Sequence, residues 1–238
     1  VVLVVDSPGG SALVSDLIWE AVGRLNDKVP VVACFSNVAA SGGYYLSAGC
    51  RSIVAQPMTL TGSIGVISGK LVTGGALAKL GVFSERVFGA AGAGLLGSDR
   101  PLSSDQRRLL THQVKDIYTV FKKRVEEGRG MPTEEVEAVA QGRVWSGHQA
   151  LHAQLVDELG GVHEALVRAC ELGEISLDEA KIRYKKVERP KPFWTRFVGQ
   201  SSLELTALVD LSVSSQAEAL IQHPAEPLAL WPQQVHVD

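Results

Sequence analysis

The chain has 238 residues, 45% of them hydrophobic, enough for one large or two small domains with a real core. Its formal net charge of -3 leaves no basic footprint for nucleic acid, and its three cysteines, Cys34, Cys50 and Cys170, are too few and too scattered for a disulfide framework or a zinc cage. The longest apolar runs fall far short of a membrane span and no signal peptide is visible, so any anchor is expected upstream of this sequence.

Val1 to Val5 reads as a buried strand that ends in the turn Asp6-Ser7-Pro8-Gly9-Gly10. A strand so apolar is normally covered on both faces, and the chain opens inside it with no lead-in, which reads as a fragment of a longer protein. Ser11 can cap a helix whose apolar residues, Leu13, Leu17, Ile18, Val22 and Leu25, follow period 3.6. Val31 to Phe35 is the next strand. Ala39-Ala40-Ser41-Gly42-Gly43-Tyr44-Tyr45 then leads into a short helix of small residues over 41–48. Residues 53–55 form a third strand, 61–66 are extended and kinked by glycine, and 71–80 are helical with Gly81 as the stop. Residues 89–97, Gly-Ala-Ala-Gly-Ala-Gly-Leu-Leu-Gly, read as a mobile loop.

The longest helix covers 102–127, started by Ser103 or Ser104 and stopped at Gly128-Arg129-Gly130. A helix over 133–141, a brief strand over 143–145, a turn of helix capped by Ser146 and a helix over 162–172 follow. This alternation argues an α/β fold with a mostly parallel sheet flanked by helices. Composition shifts near Leu172, which divides the chain into a domain over 1–172 and an irregular C-terminal extension over 173–238. In the extension, Ser176 to Glu179 has capping-box spacing and 181–187 alternate like an edge strand. Residues 203–221 have the makings of a helix, and Pro190, Pro192, Pro224, Pro227 and Pro232 break the tail into short pieces.

Two glycine turns at the tips of adjacent parallel strands suit acyl-transfer chemistry. A residue without Cβ lets a backbone N–H approach a carbonyl oxygen closely, so Gly9 or Gly10 together with Gly42 can form an oxyanion hole beside a nucleophilic Ser41. Ser41 would stand at a helix N-terminus, where developing negative charge is favoured. A serine also needs a base. The six histidines, His112, His148, His152, His163, His223 and His236, carry no catalytic signature, and read as surface residues. The i, i+4 pair His148 and His152 lacks the Glu of a His-Glu-x-x-His site. Lys70, Lys79, Lys115, Lys122 and Lys123 are base candidates by position only, the last three on a solvated helix face. The stretch from Lys181 to Arg196, with Phe193, Trp194 and Phe197, is basic and aromatic; it reads as a solvated edge and linker, with contact to an anionic membrane surface as the other reading.

The two turns, together with Thr59-Leu60-Thr61-Gly62-Ser63-Ile64-Gly65-Val66, Gly128-Arg129-Gly130-Met131, Gly142-Arg143-Val144-Trp145-Ser146-Gly147 and Leu155-Val156-Asp157-Glu158-Leu159-Gly160, resemble the signal peptide peptidase A (protease IV) family over residues 1–172. The resemblance implies a Clp-protease/crotonase-like core and a membrane-bound, extracytoplasmic serine endopeptidase that degrades cleaved signal peptides with a Ser/Lys pair and no metal or organic cofactor. It implies Ser41 as nucleophile, backbone N–H groups of Gly9-Gly10 and Gly42 as the oxyanion hole, and Ser63 as the serine that helps hold the lysine. The loop that carries this lysine in single-unit members falls near residues 89–96, yet no lysine lies between Lys79 and Lys115. The chain therefore resembles the C-terminal half of two-unit members, in which the first unit supplies the lysine. The partners implied are a peptide substrate, an N-terminal unit, further copies in a ring-like oligomer, and a membrane reached through a segment outside this chain.

Two other readings stand beside it. A crotonase-type acyl-CoA enzyme shares the oxyanion-hole core but needs an acid/base carboxylate and no nucleophilic serine. A non-catalytic subunit that assembles with, or gates, an active partner would need no lysine.

Overall fold

The computed structural model describes residues 1–85, 94–95, 97–179, 181–186 and 228–229. Two compact units divide the chain: Val1–Asp178 with Ala225–Asp238, and Glu179–Pro224. The first contains a mixed, mostly parallel sheet built on one long strand, β3 (Val32–Ala40). On one side β3 pairs in parallel with β1 (Val2–Ser7), Val2 opposite Val32 and Val5 opposite Phe35. Its other side is shared. β4 (Ser52–Ala55) takes the first half and β5 (Leu60–Gly62) the second, both in parallel. β6 (Val144–Ser146) lies antiparallel outside β5, and β7 (Glu158–Leu159) lies parallel outside β4. A separate two-residue pairing joins β2 (Gly10–Ser11) to β8 (Leu228–Ala229).

The pleat of β3 explains how the sheet is covered. Val32 and Cys34 face one way, into a small cluster with Val54 and Ala165, Ala169 and Leu172 of α7 (Val162–Leu172). Ala33 and Phe35 face the other way, into the main core. There they meet Val22 of α1 (Ala12–Asn26), Tyr44 and Tyr45 of α2 (Gly42–Ser47), Phe121 and Val125 of α4 (Ser104–Arg129), and Val136 of α5 (Thr133–Val139). α3 (Gly74–Lys79) buries nothing, and α6 (Gly147–His152) buries Ala150. Ser11, Ser103 and Ser146 each accept from the backbone N–H three residues on, and Gly130 closes α4 in the left-handed conformation at φ 63°.

Two expectations change, and one strand is new. The apolar stripe of α1 does not face the core. Val22 is buried, whereas Leu13, Leu17, Ile18 and Leu25 are exposed, Leu13 by 63%. The period fixed the helix but not which face packs, because the buried positions include Ser15, a residue no apolar template selects. Residues 181–186 form no strand, since no neighbouring strand offers that alternation a ladder among the described residues. β7 has only two residues, too short for a periodicity signal. The loop expected over 89–97, except for Gly94, Leu95 and Gly97, and the helix expected over 203–221 lie outside the described residues.

One ion pair ties the end of α4 to the sheet. The Arg129 side chain is only 8% exposed, and its guanidinium grips Asp157 in a fork, Nη1 to Oδ2 at 3.0 Å and Nη2 to Oδ1 at 2.5 Å. Its Nε donates to the Gln154 carbonyl at 3.2 Å, and Asp157 Oδ2 also accepts from the backbone N–H of Ile53 at 2.7 Å. Removing one partner of such a pair leaves a buried charge uncompensated, at a cost of about 3–5 kcal/mol. Asp157→Ala is expected to lower unfolding free energy by that order in urea titration, and Asp157→Asn, which keeps an acceptor for Ile53, by less.

Candidate active site

The strand tips of β1 and β3 bring the two glycine turns together. Asp6 Oδ1 accepts from the Val38 N–H at 3.2 Å, which ties the end of β1 to β3. Ser7 Oγ accepts from the Gly9 N–H at 3.2 Å, so the Gly9 amide is already engaged, while its φ of 122° suits glycine. Gly10 N faces the second turn. A Cβ built on Gly42 would lie 3.2 Å from Gly10 N, 3.4 Å from Gly9 Cα and 2.5 Å from Ser15 Oγ. Backbone meets backbone there, with no room for a side chain.

Ser41 is fully buried and sits at φ 50°, ψ -118°, outside the regions an L-residue prefers. Its N–H donates to the Gly62 carbonyl at 2.9 Å, and its carbonyl accepts from the Tyr45 N–H at 2.8 Å. Ser63, the residue after Gly62, is also fully buried, also at positive φ (49°), and its N–H donates to the Arg143 carbonyl at 2.7 Å. Among the described residues only four buried side-chain N or O atoms have no hydrogen-bond partner in the protein: Trp19 Nε1, Ser52 Oγ, Ser41 Oγ and Ser63 Oγ. Two of the four therefore belong to consecutive links of one backbone contact. A buried polar group left unpaired costs about 1–3 kcal/mol, so two such hydroxyls on backbone segments joined by the Ser41–Gly62 hydrogen bond need an explanation.

The two tyrosines after Ser41 anchor its helix. Tyr44 OH donates to the Leu155 carbonyl at 2.9 Å, and Tyr45 OH donates to Asp16 Oδ1 at 2.8 Å. Arg124 Nε reaches the same Asp16 oxygen at 3.0 Å, with the guanidinium stacked 4.0 Å from the Trp19 ring centroid. Thr61 Oγ1 donates to the Ala39 carbonyl at 2.7 Å. Of this scaffold, Thr61, Arg129 and Asp157 lie in motifs that the sequence shows without a role for them, and Ser15, Asp16 and Arg124 lie in none. The tyrosine pair was the available signal, since a buried phenol needs an acceptor.

The other candidates lie apart from Ser41. Lys122 pairs with Glu137 at 2.7 Å, which raises its pKa, Lys123 approaches Glu127 at 3.9 Å, and Lys70 donates to the Leu95 carbonyl at 3.3 Å. Lys79 and Lys115 are exposed. His112 pairs with Asp116 on the exposed face of α4, and the His148 and His152 rings touch edge-to-face at 4.8 Å on α6. No group of three or more metal-ligating side chains occurs among the described residues, nor is any helix there long and apolar enough to cross a membrane. Burial pushes the Cys50 thiol up to about 12 and the Cys34 thiol upward too, the latter helped by Glu164. Both pack rather than react.

With this geometry, the profile of Peptidase family S49 matches residues 24–176, and the chain belongs to that family. Its α/β core is the Clp-protease-like fold. The chain is 38% identical to "Serine protease SPPA, chloroplastic" of Arabidopsis thaliana over 78% of its own length and 28% of the relative's. It is 36% identical to "Putative protease slr0021" of Synechocystis over 95% of its length and 82% of the relative's. "Protease 4" of Salmonella typhi is 36% identical over 74% of this chain and 28% of that protein. The chain thus spans well under half of two of these three relatives and most of the third.

Two outcomes test this geometry. Gly42→Ala is expected to force the two turns apart and lower the thermal midpoint by several degrees, read by circular dichroism. Cys34 and Cys50 are expected to resist iodoacetamide in the folded chain at pH 8 and to react once it is unfolded, read by peptide mass mapping.

Proposed function

We propose that the chain is the nucleophile-bearing part of a serine endopeptidase that cleaves small, extended, membrane-associated peptides such as released signal peptides. The observation that carries this reading is the pair of buried, unpartnered hydroxyls of Ser41 and Ser63 beside the two facing glycine turns. A lysine amine entering from another unit would give both a partner. Its neutral form takes the proton of Ser41 Oγ as the oxygen attacks the scissile carbonyl, while Ser63 Oγ orients the amine. The tetrahedral oxyanion is held by the N–H groups of Gly10 and Gly42, with Gly9 shaping the turn and its own amide spent on Ser7. The lysine then returns the proton to the leaving amine. Water deacylates the serine by the same route. Loss of one oxyanion donor costs about 2.7–4 kcal/mol of transition-state stabilisation. Burial against the apolar walls around Ile64 would hold the lysine pKa low enough to act near neutral pH.

The substrate strand has an available edge. β5 lies between β6 and β3, and the described backbone bonds of Ser63 and Ile64 run to Arg143 and Gly142, on the β6 side. β3 ends at Ala40, so from Ser63 to Val66 the β3 side of this segment has no strand partner among the described residues. An extended peptide can add there through main-chain hydrogen bonds. A ring of copies joined to a lysine-bearing unit, held at the extracytoplasmic face of the membrane, would complete the assembly.

A fluorophosphonate probe applied to the complete gene product is expected to label Ser41, mapped by mass spectrometry, and to leave Ser41→Ala unlabelled. The chain by itself is expected to label at least a hundredfold more slowly, the range a general base supplies. Absence of labelling in both would move the assignment to a non-catalytic subunit. Fast labelling of the isolated chain would remove the second unit from the mechanism.

A further inference from the structure

Past Ile64 the chain that continues from Ser63 runs on to Lys70. Two cavities open along it, about 570 Å³ and about 560 Å³, and they share the apolar residues Val66, Ile67 and Val114. The first also has Lys70 and Arg107 in its lining, the second Lys115 and Arg143, and among the described residues neither is lined by an Asp or Glu. Lys70 donates to a carbonyl, and Arg143 donates to the Ala138 carbonyl and the Gln141 side-chain oxygen, contacts that leave both charges uncompensated. Arg107 and Lys115 have no ion pair among the described residues. Two nearby carboxylates are paired elsewhere, Asp105 with Arg108 at 2.6 Å and Glu137 with Lys122 at 2.7 Å, and Asp116 is hydrogen-bonded to His112 Nδ1 at 2.6 Å.

Four cations whose charges no carboxylate among the described residues offsets thus rim one apolar trough. We propose that this trough is a specificity surface that takes an acidic side chain of the bound peptide, set in an otherwise apolar segment. Val66 lies three residues past Ser63, about 10 Å along an extended chain. The acidic residue would therefore stand roughly three residues from the cut, with its neighbours packed on Val66, Ile67 and Val114. Only this register rests on the peptidase reading; the attraction between trough and carboxylate does not.

The test is binding, which needs no catalytic base. Fluorescent peptides, apolar and capped as acetyl and amide at their ends, carry one Glu, Gln or Lys scanned through the central positions. They are titrated by anisotropy into the complete gene product, both wild type and Ser41→Ala. At one or more positions Glu is expected to bind about threefold to tenfold more tightly than Gln, and Lys more weakly than either. The difference should shrink in about 1 M salt, where exposed charges are screened. Arg107→Glu with Lys115→Glu is expected to invert the order, and the milder pair Arg107→Gln with Lys115→Gln to flatten it. Equal binding of Glu and Lys peptides at every position, or no binding of any peptide, would overturn the proposal. Labelling of Ser41 without a charge preference would sink this inference alone. A charge preference without labelling would sink only the peptidase reading.

Discussion

The close approach of Gly42 to the Gly9-Gly10 turn governs the rest of the candidate site. Gly10 N, Gly9 Cα and Ser15 Oγ all crowd the position of a Gly42 Cβ, so the two strand tips can meet only through bare backbone. The contact depends on β1 and β3 running side by side, in register from Val2 to Val5 and then shifted so that Ser7 stands opposite Ala39, with Asp6 reaching across to Val38. It depends equally on β5 following β3 past Ala40, so that the Gly62 carbonyl receives the Ser41 amide. Three strands therefore determine where one hydroxyl stands.

That hydroxyl sits on strained backbone, and the strain is held from several directions. Tyr44 and Tyr45 pin α2 to the Leu155 carbonyl and to Asp16, and Arg124 joins the second anchor to α4. The Arg129–Asp157 fork fixes the other end of α4 against β4. A residue at unfavourable φ costs on the order of 1–3 kcal/mol and persists only where its surroundings over-determine it. Ser41 and Ser63 share this condition, and they share a second one: each keeps a buried hydroxyl without a partner. Strain and unsatisfied polarity at the same two serines suit a site prepared for a group supplied from elsewhere.

Much of this was legible in the sequence. The apolar strands, the serine caps at 11, 103 and 146, and the glycine stop at 130 are local features, written in neighbouring residues, and each element they imply is present. The two glycine turns were legible for the same reason. The outward face of α1 was not, because a helical period says that a stripe exists and not which neighbour covers it. The anchors of α2 were hidden because Asp16, Arg124 and Leu155 are separated from the tyrosines by long stretches of chain, and only the fold makes them adjacent. β7 was missed because two residues carry no periodicity. The trough along Val66 and Ile67 was likewise invisible, since its cations come from three separate segments.

The partner proposed for Ser41 and Ser63 is an amine. The most direct measurement is the rate at which an acylating probe modifies Ser41 in this chain alone as small alkylamines are added. Saturable acceleration is expected, limited to amines small enough to enter the buried site, rising with pH through the amine's own pKa and lost in Ser63→Ala. A labelling rate indifferent to amine, or an acceleration that survives Ser63→Ala unchanged, would contradict it.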